Sequence, residues 1–161
     1  MNMQAIRLKT EHLQDPLGVD FTAPRLFWNC EGGAEQSAYQ IYAVNGENTV
    51  VWDTGKVESD TMTHIPYEGK ELHSRDRITW KVRLWDENGT EGEWSEEAFF
   101  EMGLLEKEDW KAEWITGDYK PKKKERYPVD CFQKKFQLEV PQKEKIVKAR
   151  AYITACGIYE A

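Results

Sequence analysis

What the chain lacks narrows its class before any motif is read. Its 161 residues include only three cysteines, Cys30, Cys131 and Cys156, an odd number at long spacings that fits neither a disulfide framework nor a paired-cysteine metal knuckle. They read as free thiols. No apolar run approaches the roughly 18 residues of a membrane span, and the mean hydropathy of -0.76 describes a heavily solvated surface. Positive charge is also short: 22 Lys and Arg stand against 29 Asp and Glu, a net charge of -7. Nucleic-acid binding is thereby disfavoured, because phosphate recognition needs a positive field over its footprint. The start, Met1 through Arg7, has no basic opening, apolar centre or small-residue cleavage site of a secretory signal. The cytoplasm is the expected location.

What is present is period-2 alternation between turn signals, with no sustained helical periodicity. After Pro24, Leu26 and Trp28 point one way while Arg25, Phe27 and Asn29 point the other. Ser37 to Val44 carries Tyr39, Ile41 and Ala43 on one face. Shorter runs cover Val50 to Trp52 and Met62 to Tyr67. The strongest signal is Ile78 to Trp85, where Ile78, Trp80, Val82 and Leu84 alternate with Thr79, Lys81, Arg83 and Trp85. Asp86-Glu87-Asn88-Gly89 follows, and Asn-Gly predicts a type I′ hairpin turn. The returning strand is expected from Trp94-Ser95 through Ala98, Phe99 and Phe100 to Met102. About seven short strands with regular turn signals indicate an all-β, two-sheet sandwich.

The run Ile78 to Gly89, with Leu26-Phe27-Trp28 upstream and Trp94-Ser95 downstream, resembles the B, F and G strands of a fibronectin type III or immunoglobulin-like domain, with Trp28 as the buried B-strand tryptophan. Ile78 stands where that pattern has its corner tyrosine, so one hydrogen bond worth about 1 kcal/mol is unavailable. A narrower resemblance covers nearly the whole chain. Leu8 to Glu11, Asp15 to Asp20, Pro24 to Trp28, Gln36 to Ile41, Trp52 to Val57, Trp80 to Arg83 and Phe100 to Leu105, in that order, resemble the opening of bacterial α-L-rhamnosidases of glycoside hydrolase family 78. Asp109 to Ile115 and Ala149 to Glu160 resemble the start of that family's next domain, a jelly-roll sandwich held to assist carbohydrate binding. The organisation so implied is a fibronectin-III-like sandwich over 1–103, a linker over 104–113 and the truncated start of a carbohydrate-binding-type β-domain over 114–161. The resemblance also implies a much longer, inverting enzyme whose acid and base lie in a later (α/α) barrel.

Candidate sites weigh lightly beside that organisation. Inverting hydrolysis needs two carboxylates roughly 6.5 to 9.5 Å apart, whereas Glu96 with Glu97, Asp86 with Glu87 and Glu108 with Asp109 are sequence neighbours, which strand geometry sends to opposite faces. His12, His64 and His73 show no ligand spacing. Ser37, Ser74 and Ser95 have no nucleophile elbow, and Glu31 beside Cys30 disfavours a thiolate. Gly32-Gly33 is a turn without the Lys-Ser/Thr of a phosphate loop. No catalytic residue, cofactor or metal is expected in this chain. The basic cluster Lys120, Lys122, Lys123, Lys124 and Arg126 reads as a solvated loop in an acidic chain.

The aromatics carry the remaining interest. Alternation puts Trp28 and Trp80 in the core and Trp85, Tyr42 and Phe27 on outer faces, where they would dock neighbouring domains or stack on a sugar. The leading reading is a non-catalytic segment that braces later domains of its parent enzyme. Two alternatives are a free-standing carbohydrate-binding module for rhamnose-containing sugars and a stand-alone fibronectin-III-like interaction domain. Unpaired strands in the tail would also permit a dimer.

Overall fold

The computed structural model describes residues 2–120, 129–135, 137 and 146–160. It falls into two units, Met1–Trp110 and Lys111–Ala161, each taken by itself here.

Within the first unit the alternation becomes ten strands: β1 (Gln4–Thr10), β2 (Leu17–Val19), β3 (Arg25–Glu31), β4 (Gln36–Asn45), β5 (Val50–Asp53), β6 (Val57–Glu58), β7 (Ile65–Pro66), β8 (Arg77–Asp86), β9 (Glu91–Trp94) and β10 (Ala98–Met102). They form two sheets. The smaller has the order β1-β3-β7, and the larger runs β2-β10-β8-β4-β5, with β6 on β4 and β9 on β8. Leu26 and Trp28 from the small sheet meet Ile41, Ala43, Ile78, Trp80, Val82, Leu84 and Phe100 from the large one in a single buried cluster. Each such large apolar side chain contributes roughly 1.5–3 kcal/mol by leaving water. The inner faces of β3, β4 and β8 are those the period-2 pattern assigns.

Polar partners fix the central tryptophan. The Trp28 indole Nε1 donates to Gln36 Oε1 at 3.0 Å, and the Gln36 amide donates in turn to the carbonyls of Ser59 at 2.9 Å and Thr61 at 3.1 Å. A buried indole N–H without a partner is costly, so this glutamine, only 4% exposed, sets both ring orientation and loop position.

Three elements depart from expectation for local reasons. The hairpin after β8 is not type I′. Asn88 does not take a positive φ, Gly89 does at 75°, and Gly89 N–H donates to the Asp86 carbonyl at 2.9 Å. That is a tight turn closed by a left-handed glycine, favoured because Asp86 Oδ1 accepts from the N–H groups of both Asn88 (2.9 Å) and Thr90 (2.8 Å). The returning strand is interrupted at Ser95–Glu97, where Ser95 takes over the ladder: its N–H donates to the Val82 carbonyl at 2.8 Å and its Oγ accepts from Val82 N–H at 3.0 Å. Finally β1 exists although its pattern hides it. A bulge between Ile6 and Lys9, with Arg7 at φ 53°, moves the buried positions to Ala5, Leu8 and Thr10 and destroys the period of two.

The stretch after β10 remains with the first unit. Leu105 packs against the core, Leu105 N–H donates to Ser74 Oγ at 2.7 Å, the Ser74 hydroxyl donates to Asp109, and Lys107–Asp109 forms one 3-10 turn. The expected linker over 104–113 therefore straddles the division at Trp110. In the second unit, no described residue lies in a strand, although Cys131 to Leu138 and Ala149 to Tyr159 have strand-like composition. Ile115, Val129, Val147 and Ile158 are exposed there.

Candidate functional site

The register between β4 and β8 puts Tyr42 opposite Lys81, Gln40 opposite Arg83 and Ala38 opposite Trp85, while β9 sets Trp94 opposite Arg83. Opposed residues share a face. Since Ile78, Trp80, Val82 and Leu84 occupy the inner face of β8, these pairs form the outer face of the large sheet. The result is an alternating ladder of cations and rings. Lys56 Nζ lies 5.3 Å from the Trp85 ring centre, and the Arg83 guanidinium is 5.2 Å from Trp85 and 4.7 Å from Trp94. Lys81 Nζ is 5.2 Å from Trp94 and 5.7 Å from Tyr42, and Tyr42 meets Trp94 edge-on at 6.1 Å. Each such contact stabilises by about 0.5–1 kcal/mol at exposed sites.

Hydrogen bonds hold the central arginine in place. Arg83 Nη2 donates to Gln40 Oε1 at 2.6 Å, and Nη1 pairs with Glu91. Gln40 Nε2 donates onward to Asp53 Oδ1 at 2.7 Å, which also accepts from Gly55 N–H at 2.9 Å. The Gln40 amide, helped by the Gly55 N–H, holds the Asp53 carboxyl below its ordinary value.

The three aromatics expected on outer faces are on outer faces, but the fold does not bring them together or leave them bare. Trp85 is 6% exposed because cations lie over it, and Tyr42 belongs to the same ladder. Phe27 belongs to the other sheet and is 8% exposed, covered by His12 at 4.2 Å and His64 at 4.8 Å between ring centres. With Lys56 and Arg83 against it, Trp85 keeps little free surface on which a pyranose could lie, whereas Tyr42 stays partly open. Sequence reasoning missed Trp94 as a ladder member, because the interruption at Ser95–Glu97 breaks the alternation that would have assigned its face. It also missed the approach of His12 and His64, at 5.6 Å between rings, since tertiary folding alone joins those loops. Among the described residues, no group of three or more His, Cys, Asp or Glu is placed to hold a metal.

The acidic pairs have local work. Glu87 Oε2 accepts from Ala34 and Glu35 N–H groups, Asp86 closes its hairpin, and Asp109 pairs with Arg75 at 3.7 Å. Cys30 is half-buried, and burial pushes its thiol up. The sequence argument from Glu31 reached the right direction, but the cause is burial. Of the basic cluster, Lys122, Lys123, Lys124 and Arg126 lie outside the described residues.

Two clefts accompany these features. One of about 180 Å³ lies at the Tyr42 end of the ladder between Val44, Asn48, Thr79, Lys81 and Glu97, smaller than the roughly 300–1,000 Å³ of typical ligand pockets. The other, about 630 Å³, runs along the free edge of β1 beside Asp15, Glu96 and Glu97. That edge is blunted by the bulge at Arg7 and by Lys9, devices that oppose strand addition.

Comparison with known proteins agrees with this geometry. The family described as Rha78A-like, N-terminal immunoglobulin domain, matches residues 5–106, nearly the span of the first unit. An α-L-rhamnosidase of Alteromonas sp. (strain LOR) is 33% identical over 93% of this chain and 17% of its own length. The crystal structure of Streptomyces avermitilis α-L-rhamnosidase complexed with L-rhamnose superimposes with a TM-score of 0.66 at 38% identity, covering 71% of this chain and 12% of that one. The structure of α-L-rhamnosidase from Dictyoglumus thermophilum gives a TM-score of 0.64 at 41% identity, over 70% of this chain and 14% of that one. This chain thus spans between 12% and 18% of the length of the curated relatives it matches.

Proposed function

Because this chain belongs to the family of Rha78A-like N-terminal immunoglobulin domains, a non-catalytic segment of α-L-rhamnosidases, we propose that it serves as the front end of a longer α-L-rhamnosidase-like glycoside hydrolase and braces the domains that follow. The observation that carries this reading is the coincidence of the matched span, 5–106, with a two-sheet sandwich whose large sheet carries a ladder of cations and rings across β4, β8 and β9. A brace needs rigidity, and alternating cations and rings across β4, β8 and β9 supply it without a ligand. The parent's activity, inverting cleavage of terminal rhamnose, belongs to the proposal. Assay of this chain against an aryl α-L-rhamnoside tests it: no turnover is expected, whereas the longer protein carrying this chain hydrolyses the same substrate. Turnover by the chain alone would sink the reading.

A second reading, contact with rhamnose-containing sugar, draws on the cleft beside Tyr42, where Asn48, Thr79, Lys81 and Glu97 offer polar groups. Titration with L-rhamnose to millimolar concentration, followed by amide chemical shifts in β4 and β8, decides it. A cytoplasmic setting fits Cys30, Cys131 and Cys156, all unlinked. Self-association through the second unit draws on its exposed Val129, Val147 and Ile158 and is read by sedimentation.

A further inference from the structure

No spacing along the chain marks the histidines as ligands, yet the fold brings two of them together. β3 is the middle strand of the small sheet, and Leu26 on it pairs with Thr10 of β1 on one side and with Ile65 of β7 on the other. His12 lies just beyond Thr10 and His64 just before Ile65. The two imidazoles therefore arrive from opposite sides of β3 and lie against the next side chain of that strand, Phe27. Their ring centres are 5.6 Å apart, with planes inclined at 75°. Phe27, 8% exposed, is a fixed floor under both. His12 at φ 66° and His64 at φ 57° hold left-handed backbone, a conformation uncommon outside glycine that the surrounding packing has to maintain. Both histidines are nevertheless exposed, and among the described residues neither imidazole has a hydrogen-bond or ion-pair partner.

An imidazole whose lone pair is open to water is the commonest metal ligand. Zinc bonded to a ring nitrogen at about 2.0–2.1 Å stands roughly 3.2 Å from the ring centre, so two rings at tetrahedral to trigonal angles are roughly 5.2–5.5 Å apart. The observed 5.6 Å sits at the upper end of that span, and exposed rings close the difference by side-chain rotation. We propose that His12 and His64 are a chelating pair for a borderline divalent transition metal, zinc, nickel or copper, with water completing the coordination. The donors choose the ion: imidazole suits these metals, whereas magnesium and calcium take oxygen. Glu11 is not a third ligand, since the Arg25 side chain holds both of its carboxylate oxygens. Two protein ligands make an exchangeable site rather than the closed four-ligand site of a structural zinc. A bound ion straps the ends of β1 and β7 across β3, and β7, only two residues long, gains a tie that its short pairing with β3 does not supply. Metal capture here is independent of what the parent enzyme hydrolyses.

Zinc alone is the probe, added to the full chain carrying Cys131→Ser and Cys156→Ser, because those exposed thiols are themselves zinc ligands. Imidazole nitrogen chemical shifts read binding residue by residue, and His73, exposed beside Asp76 at 3.6 Å, is the internal control. His12 and His64 are expected to shift together on one binding curve with one ion per chain, while His73 does not move on that curve. Melting is expected to rise by about 5 °C or more once free zinc exceeds its dissociation constant a hundredfold, with no response to magnesium at the same concentration. His12→Asn and His64→Asn keep a residue that accepts left-handed backbone. Each is expected to weaken zinc binding at least about tenfold, as does the loss even of a group that only orients a metal ligand, with the metal-free far-ultraviolet circular dichroism unchanged. A shift at only one of the two histidines, movement of His73 on the same curve, an equal response to magnesium, or unchanged zinc affinity in either variant overturns the site. One ion per two chains identifies a bridge between copies and overturns the pair within one chain.

Discussion

Replacing Arg83 with methionine tests whether the ladder holds the outer face together. Methionine keeps most of the aliphatic stem that packs on the sheet but removes the charge and all five donors. Two ring contacts vanish, to Trp85 at 5.2 Å and Trp94 at 4.7 Å, at about 0.5–1 kcal/mol each. The hydrogen bond to Gln40 at 2.6 Å is also lost; a bond from a charged donor contributes about 1 kcal/mol or somewhat more. The pair with Glu91 adds little, because Glu91 is half exposed and surface ion pairs contribute about 0–1 kcal/mol. The sum is about 2–3 kcal/mol, which in a domain of this size lowers the melting temperature by about 10 °C or more. Near-ultraviolet circular dichroism follows the change directly, since Trp85 and Trp94 are part of the ladder. Arg83→Lys is expected to recover only part of the loss, because an ammonium cannot stack as a plane or reach Gln40 and Glu91 together. A methionine variant that melts within about 2 °C of the parent protein would refute the claim that these contacts carry stability.

Gln36→Leu is expected to cost about 2–4 kcal/mol in urea unfolding, since it strands the Trp28 indole N–H and the carbonyls of Ser59 and Thr61; a loss under about 1 kcal/mol contradicts this. Glu11 is held below its ordinary carboxyl value chiefly by hydrogen bonds from the Arg25 side chain. A depressed folded value means this stabilisation is complete above the ordinary pKa of 4.5 and disappears as pH falls through the folded value. Arg25→Met is therefore expected to flatten the dependence of unfolding free energy on pH below that point; an unchanged slope counts against the pairing. With a thiol reagent, Cys131 and Cys156, both exposed, are expected to react fast and Cys30 slowly, because only thiolate attacks and burial raises the Cys30 pKa. Three equal rates would contradict that placement.

Much of the sandwich was legible because burial on one face writes a period of two into the sequence. Ile78, Trp80, Val82 and Leu84 are inward as the alternation requires, and Leu26 and Trp28 face them from the other sheet. Legibility failed wherever a local device broke the period. The bulge at Arg7 hid β1, the Ser95 interruption hid the face of Trp94, and Asp86 drew its turn into a form that Asn-Gly alone does not specify. The outward aromatics show a different limit. Trp85, Tyr42 and Phe27 were assigned correctly to outer faces, yet facing outward is not the same as being exposed.

By itself, then, the sequence determined the all-β class, the inner faces of the main strands and, through its ordered blocks, the family. Those properties follow from local spacing, which any window of the chain displays. Only the tertiary structure decided which outward rings are covered and by what. Lys56 reaches Trp85 from the segment between β5 and β6, Trp94 reaches Arg83 and Lys81 from β9, and His12 and His64 close over Phe27 from separate loops. Leu17 stays in water because its neighbours Pro16 and Val19 are the ones anchored along β10. Such contacts join residues far apart in the chain, and no periodicity records them.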